Sequence, residues 1–261
     1  MRGARLAWLS VRLGVITELT YRANLMVQVV ASSVSLATSL VFLAAIYAHT
    51  DALAGWRPAE LLALLGVFFV LTGLIGSVVQ PSLYALMEDV RLGSLDFTLT
   101  KPRDAQLLIS IKHVDVWKLV DVGLGLALLT LSVIQLGGSV GLLQAAEFAV
   151  ALVAGGATVY SLCLMLATLA FWFIRVDNAL IIFLAFWETG RWPVQVYPEW
   201  LGRTLTFLVP VALATTVPAE ALSGRLGPET LSGALALAVG LLVVSRLLWL
   251  RGLSRYAGAS A

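Results

Sequence analysis

Charged and apolar positions alternate in long blocks along the chain. No Asp, Glu, Lys or Arg interrupts the 28 residues between Arg22 and Asp51, the 27 between Glu60 and Glu88, the 25 between Asp121 and Glu147, or the 27 between Glu147 and Arg175. A helix needs about 20 residues to cross about 30 Å of hydrocarbon, so each block predicts a transmembrane helix. A Lys, Arg or Asp at a span centre costs about 2.5 to 3.5 kcal/mol on insertion scales, so the charges mark where the chain leaves the bilayer.

The last third of the chain is less regular. Residues 178–187 carry no charge and, continued to about Val194, predict a fifth span with Glu188 and Arg191 near a water-facing end. Residues 230–245 continue past Arg246 to Leu250 and predict a sixth, whose arginine snorkels to the interface. Residues 204–219, broken by Pro210 and Pro218, are too short to cross comfortably and predict a re-entrant or interfacial hairpin. The expectation is an all-α integral membrane protein of six transmembrane helices, with a re-entrant extracellular element before the last one.

Two finer patterns stand out. In residues 1–24, Leu6, Leu9, Leu13 and Ile16 recur at helical spacing beside Trp8, with Arg2, Arg5 and Arg12 largely on other faces. That predicts an interfacial amphipathic helix, serving either as a positive anchor or as a grip on a partner subunit. The 28-residue apolar run that follows is too long for the core of a cleaved signal peptide. In the first span, Gln28, Ser32, Ser35 and Ser39 follow i, i+4, i+7, i+11 and form one polar stripe. It reads as close helix packing through serines or as the lining of a substrate pathway.

Composition agrees with the blocks. The chain is 60% hydrophobic with a mean hydropathy of +0.94, and its 12% charged residues are about half the share of a soluble domain, which excludes a soluble globular protein. With the N-terminus cytoplasmic, thirteen Lys and Arg fall on inside segments, against Arg57, Arg191, Arg203 and Arg225 outside. This positive-inside bias predicts a multi-pass protein of the plasma (inner) membrane with both termini cytoplasmic, and a seventh crossing at residues 204–219 would put the C-terminal arginines outside. The net charge of +2 then reflects topology and not nucleic-acid binding.

Catalytic chemistry is not evident. Cys163, the single cysteine, lies in the fourth span, and His49 and His113 fall on opposite sides of the membrane. There is no HExxH, GxSxG or GxxxxGK[ST] pattern, so no metalloprotease, hydrolase or P-loop site is expected and any ATP-driven step must come from a partner. With no acid at the centre of a predicted span, a proton relay is not favoured.

The connection over residues 81–118 is longer than a turn requires and is dense in mixed charge, which points to function. Its run Glu88-Asp89-Val90-Arg91-Leu92-Gly93-Ser94-Leu95-Asp96-Phe97, followed by Thr100-Lys101-Pro102-Arg103-Asp104-Ala105-Gln106, resembles the cytoplasmic loop of type 2 ABC-transporter permeases, particularly a bacterial branch with separately encoded ATPases. Phe171 to Asn178 is similar to the branch's connection between the fourth and fifth spans. Gly190-Arg191-Trp192-Pro193, Tyr197 to Leu201, Thr206-Phe207 and Pro210 are similar to its extracellular region, and Pro218 to Leu222 also fits. The resemblance covers about residues 81–250.

The resemblance implies a membrane subunit that works as a pair, with an identical or paralogous second permease, on two ABC ATPase subunits, and moves an amphipathic or hydrophobic substrate outward by alternating access. The single permease domain, residues 1–261, would itself carry no cofactor, with ATP and Mg held by the partner ATPase. A short coupling segment near Glu88, Asp89, Arg91, Leu95, Asp96, Phe97, Lys101 and Pro102 would dock on that ATPase. The Gln28, Ser32, Ser35 and Ser39 stripe would face the substrate pathway. Residues 188–229, with Trp192, Pro193, Pro198, Trp200 and Pro210, would form an extracellular gate; their other reading is an aromatic belt with structural prolines. The competing class is a secondary transporter or channel-like protein without an ATPase, which would be expected to show inverted repeats and midplane ion ligands.

Overall fold

The computed structural model describes residues 22–138, 140–173 and 176–256. The interfacial helix expected over 1–24 therefore lies almost wholly outside the described residues. Those that are described form helices and their connections, with one isolated bridge between Leu53 and Trp56.

Five stretches are long and apolar enough to cross a membrane. The first is helix α1 (Arg22–Tyr47). The second, Pro58–Leu92, joins α2 (Pro58–Leu74), a π-helical segment (Ile75–Val79) and α3 (Gln80–Leu92). After two short helices, α4 (Asp96–Leu99) and α5 (Ala105–Ser110), come α6 (Leu119–Gln135) and α7 (Leu142–Thr168). Helix α8 (Asp177–Trp187) and α9 (Glu199–Arg203) precede α10 (Val211–Leu222), and α11 (Pro228–Leu253) completes the set. The order defines two ends of the bundle. The loop end carries residues 93–115, and the opposite end carries Tyr47, Pro58, Gln135 and Leu222.

Helix α2 is apolar on every face and buried almost throughout, because it is the central element. Lipid is as apolar as leucine, so what holds helices together here is close packing of small residues. Against α6 that packing is backbone on backbone: a Cβ on Gly125 would lie 2.6 Å from the Val70 amide nitrogen, and one on Gly66 3.0 Å from the Gly125 carbonyl. Helix α7 packs on α10 and α11. Helix α1, by contrast, keeps Met26, Val27, Val30, Val34 and Val41 exposed.

The π-helical segment has a local cause. Pro81 has no amide hydrogen, and its ring would meet the carbonyl of Ser77 four residues back. The wider turn moves that carbonyl aside, where it accepts from the Asp115 amide at 2.7 Å. Helix α3 ends at Gly93, whose φ of 71° only glycine adopts freely, and the Ser94 amide closes the end on the Asp89 carbonyl.

The fifth predicted span is shorter than expected. Helix α8 has 11 residues, about 16 Å, and gives way to a 3₁₀ turn at Glu188–Arg191. Its end is pinned: the Trp187 indole donates to the Thr72 hydroxyl at 2.8 Å and stacks on Phe68 with centroids 5.6 Å apart. Thr72 lies 14 residues into Pro58–Leu92, so α8 stops within the bundle and not at its surface. Over residues 204–219, where a hairpin is expected, a π-helical turn (Thr204–Leu208) follows α9 and leads into α10, with an 85° bend between Glu199–Thr206 and Val211–Leu222. Counted as one broken span, the bent pair brings the crossings to six.

Candidate functional site

The loop end is built as a rigid cap. Asp104 caps α5 by accepting from the Leu107 amide, and it also pairs with Arg246 of α11, whose Nη1 lies 3.0 Å from its Oδ1. Arg246 thus meets a carboxylate at the place where the sequence predicts a snorkelling cation. Its Nη1 reaches Gln106 as well, and Gln106 and Ser110 both bond the Tyr160 hydroxyl of α7. Ser82 exchanges two hydrogen bonds with the backbone of His113. The loop is therefore fastened to α3, α7 and α11 at once. The Arg246 hydrogen bond holds the Asp104 carboxyl below the usual carboxylate range, and burial, helped by Lys112, holds the His113 imidazole below its ordinary value.

The eight residues expected to couple divide into two sets. Asp89 forms an ion pair with Lys112 and accepts from the Ser94 hydroxyl, and Leu95 is fully buried, so both anchor the loop to the bundle. Glu88 and Arg91 form an exposed pair one turn apart, Asp96 opens α4, and Lys101 and Pro102 are exposed beyond it. The Phe97 ring is 79% exposed at the tip. An aromatic side chain held out in this way by a fastened loop is suited to docking.

A second polar site lies between α1, α6 and the 3₁₀ turn that follows α8, against Phe68 of α2. The serine stripe forms one seam: Gln28 donates to Ser32 and to the Asp121 carboxylate of α6 at 3.2 Å, and Ser32 and Ser39 are buried. At its far end Arg191 donates to Ser35 and Ser39, both at 3.3 Å. The guanidinium also pairs with Glu188 and lies 5.0 Å from the centroid of Phe68. Spacing alone brings out the stripe but neither of its charged partners. Arg191, expected near a water-facing end, instead reaches the middle of α1.

The five expected gate residues are not one cluster. Trp192 meets Phe42 edge on at 4.9 Å, and Pro193 is buried next to it. Pro198 and Trp200 are exposed at the far turn, while Pro210 is buried at the start of α10. What ties the segment to the core is Gly190, where a Cβ would fall 2.6 Å from a Val211 methyl, together with the Tyr197 hydroxyl, which donates to the Thr189 carbonyl.

The opposite end holds a clamp that charge spacing does not single out. Glu60 is 1% exposed, and both Arg57 and Arg225 reach it, at 3.2 and 2.7 Å. Arg225 also lies over the Trp56 ring and donates to the Gly55 carbonyl. In the sequence Glu60 reads only as the boundary of a span.

A bundle of long apolar helices, with its polar groups gathered at the two ends and in one internal seam, defines a multi-pass membrane protein. The chain belongs to the ABC-2 transporter family, whose model, described as ABC-2 family transporter protein, matches residues 33–260. Membership of that family implies an ABC permease, a membrane subunit that pairs with an ABC ATPase subunit. Comparison with curated proteins and with solved structures gives no match.

Proposed function

We propose that this chain is the permease of an ATP-driven exporter, that two permeases assemble on two ATPase subunits, and that α4 with its flanking turns is the coupling element. The observation that carries the reading is the fastened loop with Phe97 held outward. A rigid cap moves as a body with α3, α7 and α11, whereas a mobile loop would absorb the displacement. The excess of Lys and Arg supports placing this end in the cytoplasm, where an ATPase would reach it. The same orientation has α11 begin outside, so the chain crosses once between α7 and α11, through α8 and the bent pair of α9 and α10.

ATP-driven closure of the ATPase pair would push the two caps together. The helices would pass this on as a change between two packings, opening a cavity beside α1, α2 and α8 to one side and then the other. The serine seam lies on that route and supports an amphipathic cargo.

Affinity purification from native membrane, with identification of co-purifying chains, tests this. An ATP-binding subunit is expected with the natural chain and is lost with Phe97→Asp combined with Arg91→Glu. Recovery of the chain alone, under conditions that keep other membrane complexes whole, would favour a secondary transporter.

A further inference from the structure

We infer that Arg191 recognises the anionic headgroup of an amphiphile whose tail lies along the exposed face of α8. This rests on the permease reading and names the chemistry of its cargo. Ser35 and Ser39, the two hydroxyls that Arg191 meets, lie roughly 18 and 12 Å along α1 from its end at Tyr47. A guanidinium at such depth is costly and is by default functional.

Its hydrogen bonding is incomplete. The two serine contacts are long at 3.3 Å, and the Arg191 Nε is buried without a partner. Among the described residues, the full charge paired with it, Glu188, comes from its own 3₁₀ turn, three residues back. That carboxylate is 53% exposed while the Arg191 side chain is 21% exposed, so the anion of the pair is on the open side and the cation behind it. An external carboxylate or phosphate approaching from that side meets Glu188 first, can displace it, and gains the planar fork of the guanidinium.

The approach is apolar. Ile181, Ala185 and Glu188 follow i, i+4, i+7 on one face of α8 and its continuation, all exposed, with Ile182 beside them. A strip of this kind ending at a charged pair matches a chain with a charged head. It does not match an uncharged hydrophobe, which gains nothing from Arg191, or a small soluble anion, which gains nothing from the strip.

The test uses the affinity-purified permease, with whatever subunit accompanies it, in nanodiscs of phosphatidylcholine. The probes are a fluorescent stearate analogue and its methyl ester. The carboxylate is expected to bind about 10- to 100-fold more tightly than the ester, the range of one charge-assisted hydrogen bond. Arg191→Gln should erase the difference, Arg191→Lys, which keeps the charge but not the fork, should keep only part of it, and Glu188→Gln should increase it. Equal binding of the two probes, or a preference that survives Arg191→Gln, would overturn the assignment. Excess inorganic phosphate should leave the stearate bound; displacement would reassign the site to soluble anions. Recovery of the ATPase reports assembly separately: in the natural chain, no preference for the carboxylate with the ATPase recovered sinks this inference alone, and a preference without an ATPase sinks only the permease reading.

Discussion

The Asp115 amide donates to the Ser77 carbonyl at 2.7 Å, so a group that Pro81 leaves without a helical partner holds the loop to the second span. Replacing the proline returns a donor to the helix. In Pro81→Ala the new amide competes for the Ser77 carbonyl and favours regular α-helix over the π-helical turn. The protein should remain folded, because a single backbone hydrogen bond contributes about 1 kcal/mol. Hydrogen exchange at residues 113–117 should quicken several-fold while exchange in α6 beyond Gly125 stays unchanged. Unchanged exchange at Asp115 would show that the proline does not organise this junction.

The Asp104 and Arg246 pair gives the loop end a pH dependence of defined sign. Arg246 lowers the folded-state pKa of Asp104, so the stabilisation is fully present above the ordinary aspartate value of about 4 and is lost as pH falls through the lowered value. Both side chains are over two-fifths exposed, so the effect should be at most about 1 kcal/mol. Thermal unfolding in detergent at a series of pH values checks it. Asp104→Asn should melt below the natural protein at neutral pH, and the two curves should converge in acid.

Charge spacing reads the helices that cross and misreads the one that stops. Helices α1, α2 with α3, α6, α7 and α11 appear as long apolar runs with their charges toward the ends, because the middle of each must lie in hydrocarbon. The same rule pushes Glu188 and Arg191 toward water. It fails there because the two neutralise each other and because Ser35 and Ser39, 152 to 156 residues away in sequence, receive the guanidinium. No local pattern announces that the Trp187 indole will find Thr72. The serine spacing does identify a face, since i, i+4, i+7 is a property of one helix, but what that face meets depends on other helices. The loop is legible as a functional segment from its mixed charge, whereas the division between Asp89 and Leu95 as anchors and Phe97 as the exposed tip needs the packing of the bundle.

The contact of α2 with α6 should tolerate no added methyl group. A Cβ on Gly125 would be 2.6 Å from the Val70 nitrogen, a backbone atom that cannot step aside, whereas one on Gly123 in the same helix meets nothing within 4 Å. Gly125→Ala is therefore expected to destabilise by about 1 to 3 kcal/mol. Gly123→Ala should be neutral or stabilise by up to about 1 kcal/mol through helix propensity. Denaturation of the two variants side by side in mixed detergent makes the comparison, and equal stabilities would contradict the close approach.

The two arginines on Glu60 should differ in weight. Both reach the same buried carboxylate, but the Arg57 side chain is 72% exposed and that of Arg225 39%, and only Arg225 also covers the Trp56 ring and bonds the Gly55 carbonyl. Arg57→Ala removes a solvated contact and should cost less than about 1 kcal/mol. Arg225→Ala removes the closer charge, a cation–π contact and a backbone tie together, and should cost about 2 to 3 kcal/mol. Removing both leaves the carboxylate buried with no cation. The double variant should then lose more than the sum of the singles, since whichever arginine remains partly compensates for its neighbour. Glu60→Gln in the double-alanine background separates charge from packing: it should restore stability if the unpaired charge is the cause, and an unrestored double variant would show that the arginines act through Trp56 and the loop instead.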